Sequence, residues 1–91
     1  MIVLWSLLAR QDLQALRAYI ACENPAAAAR VARRIAAAAD RLAQYPHLGR
    51  AGRQAGTREL VVPRTPYVAI YVVFQERVEI VRVLHGAQRW P

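Results

Sequence analysis

Lysine is absent from this chain of 91 residues, whose thirteen basic residues are all arginines. Cysteine occurs once, at Cys22, which excludes a disulfide within the chain. No apolar run approaches the roughly 20 residues that a membrane-spanning helix needs. No charged segment leads into an apolar stretch with a cleavage site at the N-terminus. These absences predict a cytoplasmic protein that does not insert into a membrane.

Acidic residues are also scarce, since six carboxylates stand against thirteen arginines and leave a formal net charge of +7. Such a surplus favours an anionic partner, either a nucleic acid or an acidic polypeptide. The alternative is that the excess of arginine and alanine reflects a GC-rich genome. The acids, the two histidines and the cysteine are scattered and lack the ligand spacing of a zinc or calcium site. The sequence therefore predicts no metal and no cofactor.

Two amphipathic helices are predicted after a short apolar strand at Ile2–Trp5. Ser6 is a good N-cap for a helix over about 7–21. Asn24 followed by Pro25 opens a second helix, which should end before Pro46, because Asn caps well and Pro suits the first helical position. Apolar spacing predicts one buried stripe on each helix. The expected core residues are Ala9, Leu13, Leu16 and Ile20 in the first helix, and Ala28, Val31, Ile35, Ala38 or Ala39, and Leu42 in the second.

The second half of the chain has the composition of strands. Residues 46–57 hold three glycines and indicate a loop. Three segments rich in β-branched and aromatic residues follow at about 58–62, 67–74 and 78–85. The order β-α-α-β-β-β predicts an α+β fold: an N-terminal strand and an antiparallel two-helix hairpin packed on a small, mainly antiparallel sheet. Residues 1–91 are expected to form a single domain.

Strand alternation bears on which side chains could work together. In the middle strand the two faces carry alternate residues. If Val68, Ile70, Val72 and Phe74 face the helices, then Tyr67, Ala69, Tyr71 and Val73 face outward. In the last strand Arg82 and His85 are three positions apart, which is an odd number. They are therefore expected on opposite faces of the sheet unless a bulge intervenes.

Short motifs along nearly the whole chain occur in the order and at the spacing of a known family. They are Trp5–Ser6 with Ala9 and Asp12–Leu13, Tyr19–Ile20, Asn24–Pro25–Ala26, Pro46 with Gly49–Arg50, Arg58–Glu59–Leu60, Tyr67 through Tyr71, and Arg82–Val83–Leu84–His85–Gly86. Together they resemble the RelE/ParE superfamily, the toxin halves of bacterial type II toxin–antitoxin pairs. The resemblance implies a growth-inhibiting toxin and a cognate antitoxin, one segment of which folds on the toxin surface.

The superfamily combines two activities with one scaffold, so the fold does not decide the function. RelE-like members cleave mRNA on the ribosome, and ParE-like members inhibit DNA gyrase. RNA cleavage needs an acid, a base and cations beside the phosphate, for which the candidates are His85, Arg58, Arg82 and Tyr67. The chain departs from the RelE-like pattern, because it has no lysine and no acid–base tyrosine after His85.

The prediction is therefore a ParE-like toxin that binds and poisons DNA gyrase, with no catalytic residue favoured. The alternative is a RelE-like, ribosome-dependent mRNA endonuclease, and a third reading is a basic module that binds nucleic acid. An acidic antitoxin is expected to contact Arg30, Arg33, Arg34, Leu16 and Tyr19. The target is expected to contact Arg50, Arg53, Arg58, Arg64, His85 and Trp90.

Structural roles compete with these assignments. His85 could cap the end of its strand through a backbone hydrogen bond, and the tyrosines could simply pack on the sheet. The arginines of the second helix could form a solvated basic face. Arg58 and Glu59 could take part in a cross-strand salt bridge or contact a partner.

Overall fold

The computed structural model describes residues 1–87, which form two helices and five strands. In chain order they are β1 (Ile2–Trp5), α1 (Leu7–Ala21), α2 (Pro25–Arg41), β2 (Arg50–Ala51), β3 (Arg58–Val61), β4 (Tyr67–Val73) and β5 (Arg77–His85). The predicted α+β class and helical hairpin are confirmed.

Both helices begin where their capping residues place them. The backbone amide of Ala9 donates to the hydroxyl oxygen of Ser6 at 3.0 Å, and that of Ala27 donates to the side-chain oxygen of Asn24 at 3.0 Å. Each bond satisfies an amide that the first turn of a helix leaves without a partner. Because Pro25 has no amide proton, its place at the start of α2 costs no hydrogen bond.

The five strands form one mixed sheet in the order β1-β5-β4-β3-β2. β1 pairs in parallel with β5, from Ile2 opposite Arg77 to Trp5 opposite Ile80. The other three pairs are antiparallel, including the predicted hairpin of β4 and β5. Among the strands of residues 1–87, β1 and β2 therefore form the two edges, and β4 and β5 lie inside the sheet.

The helices bury their predicted stripes against one face of this sheet. The core joins α1, α2 and the strands through buried side chains, the largest of which include Tyr71, Ile35, Leu42 and Ile80. Leu13, Ile20 and Val31 are partly buried and pack against it. The helical positions predicted from apolar spacing are confirmed as core positions.

β4 has the opposite orientation to the one in which Val68, Ile70, Val72 and Phe74 would face the helices. Tyr67, Ala69 and Tyr71 belong to the core cluster beneath the helices, while Val68 and Ile70 are buried outside that cluster. A strand that is apolar at nearly every position has no polar face to indicate its orientation. Tyr71 can be fully buried because its hydroxyl accepts a hydrogen bond from the amide of Gly49 at 2.8 Å.

The segment predicted as a loop over 46–57 contains a short strand. Arg50 pairs with Glu59 and Ala51 with Arg58. The pairing places the segment against β3, where the side chain of Glu59 binds both its backbone and an arginine. A strand of two residues is too short to show the alternation from which strands are predicted.

Candidate functional site

β5 contains a β-bulge just before the candidate catalytic residues Arg82 and His85. Ile70 pairs with Arg82 but Tyr71 pairs with Ile80, so Val81 is the extra residue. Two side chains of the α1 region bind the interrupted strand: Ser6 donates to the carbonyl of Val81 at 2.9 Å, and Asp12 accepts from the amide of Val83 at 3.0 Å. Because the bulge inserts one extra residue, the alternation of side chains between the two faces of the sheet is reversed after Val81.

The same carboxylate of Asp12 holds the side chain of Arg82. Two guanidinium nitrogens of Arg82 donate to its two oxygens at 2.8 and 3.0 Å, a bidentate pair. These hydrogen bonds raise the pKa of Arg82, against the opposing effect of burial. Asp12 was recognised in the sequence only as part of a motif. Its partner could not be foreseen, because it lies 70 residues away in the chain.

A groove of about 430 Å³ opens between α1 and the C-terminal half of β5, and we call it the α1 groove. Its lining includes Asp12, Tyr19, Tyr67, Arg82 and His85. Arg82 and His85 therefore border one cavity. The bulge at Val81 precedes both residues and leaves their relative parity unchanged. Arg82 reaches this cavity because its side chain is bonded to Asp12 of α1.

The groups of the α1 groove are already engaged with one another. The rings of Tyr67 and His85 meet edge to face, with centroids 5.6 Å apart at 79°. Nδ1 of His85 accepts the amide proton of Ala87 at 3.0 Å, which is the predicted strand-end cap. Burial, and secondarily the charge of Tyr19, raises the pKa of Tyr67, so this phenol is a weaker acid than a free tyrosine.

The expected antitoxin contacts do not share one surface. Tyr19 is 81% exposed at the edge of the α1 groove, whereas Leu16 is 8% exposed and packs in the core. Arg30 and Arg33 are exposed on α2, and Arg34 is half-buried. Of this set, Tyr19 and Leu16 line one groove and Arg34 lines another.

The second groove, which we call the α2 groove, lies between α2 and β3 and has a volume of about 450 Å³. Four arginines line it, Arg34 and Arg41 from α2 and Arg50 and Arg64 from the sheet side. The apolar part of its lining comes from Ala37, Ala38, Leu48, Leu60, Val61 and Pro63. The sequence placed Arg41 with Arg30, Arg33 and Arg34 on the basic face of the second helix, although not among the expected antitoxin contacts. Its position seven residues after Arg34 puts both on one helical face.

One carboxylate, that of Glu59, organises the end of this groove. Glu59 is 3% exposed. It accepts from the guanidinium of Arg50 at 3.2 Å and from the backbone amide of Arg53 at 2.9 Å. Arg58, by contrast, donates to the carbonyl of Gly49 at 2.8 Å. The anticipated cross-strand salt bridge thus joins Glu59 to Arg50, and Arg58 binds the backbone of the preceding segment.

Gly49 allows that segment to approach the sheet closely. A Cβ atom at this position would lie 2.7 Å from the carbonyl oxygen of Glu59 and 2.8 Å from the Tyr71 ring. Tyr71 has a raised pKa because burial outweighs the opposite effects of the Gly49 amide and of Arg58. The segment is therefore held by close contact as well as by hydrogen bonds.

Arg64 has an unusual backbone conformation on the rim of the α2 groove. Its φ is 61°, the one positive φ found outside glycine in residues 1–87. Pro63 precedes it, and the amide of Thr65 donates to the carbonyl of Val62 at 3.3 Å. Proline followed by a residue with positive φ is the arrangement of a type II turn, in which the third position favours glycine or asparagine.

Three sequence expectations concern a target contact at Trp90, metal binding and membrane-spanning helices. Trp90, expected to contact the target, lies outside the described residues. Within residues 1–87, no three His, Cys, Asp or Glu side chains are grouped so that they could bind a metal ion. No helix in that range has the length and apolar character needed to cross a membrane.

Known proteins resemble this chain over nearly its full length. A family model of the ParE toxin of the type II toxin–antitoxin system parDE matches residues 3–90. Toxin Y4kP of Sinorhizobium fredii is 47% identical over 87 residues, covering 96% of this chain and 90% of that protein. Toxin RelE2 of Caulobacter vibrioides is 48% identical over 86 residues, covering 94% of this chain and 96% of that protein. A solved structure described as the chromosomal ParDE TA system from P. aeruginosa matches with a TM-score of 0.82 and 25% identity, covering 93% of this chain and 95% of that one.

Proposed function

Since this chain belongs to the ParE toxin family of type II toxin–antitoxin systems, we propose that it arrests growth by binding and poisoning DNA gyrase. A cognate acidic antitoxin neutralises it in the cytoplasm. In this proposal the toxin acts by occupying its target and has no catalytic centre of its own.

The engagement of the α1 groove residues is the observation that carries the proposal. Arg82 is bound through two nitrogens to Asp12, so its charge is largely neutralised before any phosphate arrives. Nδ1 of His85 cannot accept a substrate proton without losing its bond from Ala87. Tyr67 is 8% exposed and has a raised pKa. Acid–base catalysis needs groups that can reach the substrate and exchange protons near neutral pH.

Gyrase contact is assigned to the arginines around β2 and β3 and to the end of β5. The guanidinium of Arg50 is 63% exposed despite its bond to Glu59, and Arg53 and Arg64 are exposed. Arg58 holds the carbonyl of Gly49 and supports this surface from beneath. His85 and Trp90 complete the proposed target contacts, and the antitoxin contacts remain those assigned above on the two helices.

A supercoiling assay tests the proposal directly. Relaxed plasmid, gyrase and ATP are combined with the antitoxin-free chain, and supercoiled product and linear DNA are separated on gels. We expect supercoiling to stop and cleaved DNA to accumulate, and we expect added antitoxin to reverse both effects. Gyrase activity that is unchanged at micromolar toxin would refute the proposal.

A RelE-like endonuclease is the second candidate, because Tyr67, Arg82 and His85 line one groove. This alternative predicts ribosome-dependent mRNA cleavage by the wild-type chain, detected by primer extension. His85→Ala should abolish that cleavage while the circular dichroism spectrum stays unchanged. Cleavage with this dependence on His85 would replace the gyrase proposal, whereas its absence from the wild type would remove the endonuclease.

A further inference from the structure

The α2 groove combines a basic rim with an apolar floor, and its lining comes from α2 and from the segment that runs from Leu48 to Arg64. We propose that this groove binds an extended acidic segment of the antitoxin, with aliphatic side chains on the floor and carboxylates on the rim. The inference rests on the proposed function, because it takes the antitoxin as given and assigns the surface that binds it.

The positive charge of the α2 groove favours an acidic occupant. Four arginines line the groove against one carboxylate, that of Glu59, which is already bonded to Arg50. Arg34 and Arg41 stand on the helix wall, with Arg50 and Arg64 on the sheet wall. A segment lying between the walls can place carboxylates toward both of them. Guanidinium groups bind carboxylates through two parallel hydrogen bonds, so several acidic residues could be held at once.

The apolar floor of the α2 groove favours a polypeptide over a nucleic acid as its occupant. Leu48 is 43% and Val61 is 50% exposed, so two aliphatic side chains present uncovered apolar surface within a basic rim. Among residues 1–87, no aromatic side chain lines the groove, although single-stranded nucleic acids usually bind through bases stacked on aromatic rings. Leucine or valine side chains of a peptide would remove this apolar surface from water.

The conformation of Arg64 is a second and independent indication. Its positive φ occurs at a turn position where glycine or asparagine would be relaxed. Residues in sparsely populated backbone regions occur preferentially at binding sites. The strained turn carries its guanidinium at the groove rim. Below it, Arg34 donates to the carbonyl of Arg64 at 3.4 Å, a long hydrogen bond that links the helix wall to the turn.

Occupation of the α2 groove also explains how neutralisation would work. Arg34 was expected to meet the antitoxin, whereas Arg50 and Arg64 were expected to meet the target, yet all three line the same groove. A peptide bound there would cover two of the proposed gyrase contacts. Neutralisation would then be direct competition for the same arginines.

The test uses variants that separate binding from folding. Arg64→Gly removes the guanidinium and at the same time relieves the strained φ, so its thermal midpoint should equal or exceed that of the wild type. Arg64→Lys keeps a charge but not the bidentate geometry. The double variant R34A/R41A removes two arginines at i and i+7 on α2. R10A/R17A is its matched control, since both arginines are exposed on α1 at the same spacing and line neither groove.

Binding is measured by calorimetry with the antitoxin encoded beside this chain's gene. We expect R64G to weaken affinity about tenfold, R64K to fall between it and the wild type, and R34A/R41A to weaken affinity about a hundredfold, whereas R10A/R17A stays within about threefold. Groove variants that bind as tightly as the wild type would overturn the groove assignment and leave the proposed function intact.

Two further outcomes are distinguishable from groove variants that keep the wild-type affinity for the antitoxin. A wild-type chain that binds no antitoxin would overturn the proposed function, and the groove assignment with it. A short single-stranded oligouridylate serves as the alternative probe. If the groove variants lose affinity for the oligouridylate and keep their affinity for the antitoxin, the groove is a nucleic-acid site and the proposal is overturned.

Discussion

Tyr71 shows how one hydroxyl can fix the position of a neighbouring segment. The residue is fully buried in the middle of β4, and its oxygen accepts the amide proton of Gly49. Gly49 in turn lies too close to the Tyr71 ring for any larger side chain. The phenol therefore supplies a hydrogen-bond partner to a buried amide and also forms the surface on which that residue rests.

Replacing Tyr71 by Phe should cost about 1–3 kcal/mol of unfolding free energy, because the amide of Gly49 would be buried without a partner. Urea denaturation measures the loss. Tyr45→Phe is the control, since Tyr45 is 56% exposed and should change stability by less than about 0.5 kcal/mol. Equal stability of Y71F and wild type would mean that another acceptor replaces the hydroxyl.

No local pattern in the sequence predicts this contact. The alternation of β4 revealed a strand with apolar residues on both faces, and it did not tell which face would meet the helices. The orientation of β4 is decided by partners far away in the chain, such as Gly49 for Tyr71. Local patterns therefore identify the strand, but tertiary hydrogen bonds decide its orientation.

At the scale of elements, α1 and β5 are joined at the bulge. Ser6 binds the carbonyl of Val81, and Asp12 binds both the amide of Val83 and the guanidinium of Arg82. The N-terminal half of one helix thus supplies the hydrogen bonds that the bulged strand needs. Because Asp12 and Arg82 both line the α1 groove, the shape of the groove depends on this contact.

Asp12→Ala should destabilise the protein by about 2 kcal/mol, and so lower its thermal midpoint by roughly 10 °C. The loss is smaller than for a deeply buried pair because Arg82 remains one-third exposed. Asp12→Asn keeps an acceptor for the Val83 amide and should lose about half as much. Asp40→Ala, at an exposed position of α2, is the control. Thermal melts that coincide for D12A and D40A would contradict a structural role for the pair.

Helices were predicted more closely than strands for a physical reason. Each helix is specified by its own capping residue and its own apolar stripe, so Ser6 and Asn24 set the starts directly. The two residues of β2 depend instead on pairing with β3. The bulge in β5 likewise follows from contacts with α1. Both features lie beyond local sequence pattern, because each depends on contacts with another element.

For the whole molecule, the net charge of +7 should govern how quickly it meets an acidic antitoxin. We expect the association rate to fall about tenfold as salt rises from about 50 mM to about 500 mM, because ions screen long-range attraction. The dissociation rate should change less, since contacts formed at close range are screened less. Stopped-flow mixing at several salt concentrations gives both rates. An association rate that is independent of salt would contradict this expectation.

The family, and with it the type of protein, could be predicted from motifs spread along the chain, because these motifs mark turns, caps and core positions of the fold. The arginines of the α2 groove were harder to group. Arg34 and Arg64 are distant in sequence, and only the packing of α2 beside the turn after β3 makes them neighbours. Composition indicated an anionic partner, whereas the fold indicates where such a partner fits.

The parallel pairing of β1 with β5 has a consequence for how the protein is made. The first strand finds its hydrogen-bond partner only in residues 77–80, near the other end of the chain. A ribosome must therefore release residues 77–80 before β1 can find its place in the sheet. A product terminated early would lack both β5 and the bonds to Ser6 and Asp12. Translation that stops before β5 thus yields a chain without the finished fold, and the completed surface is produced only after β5 has been synthesised.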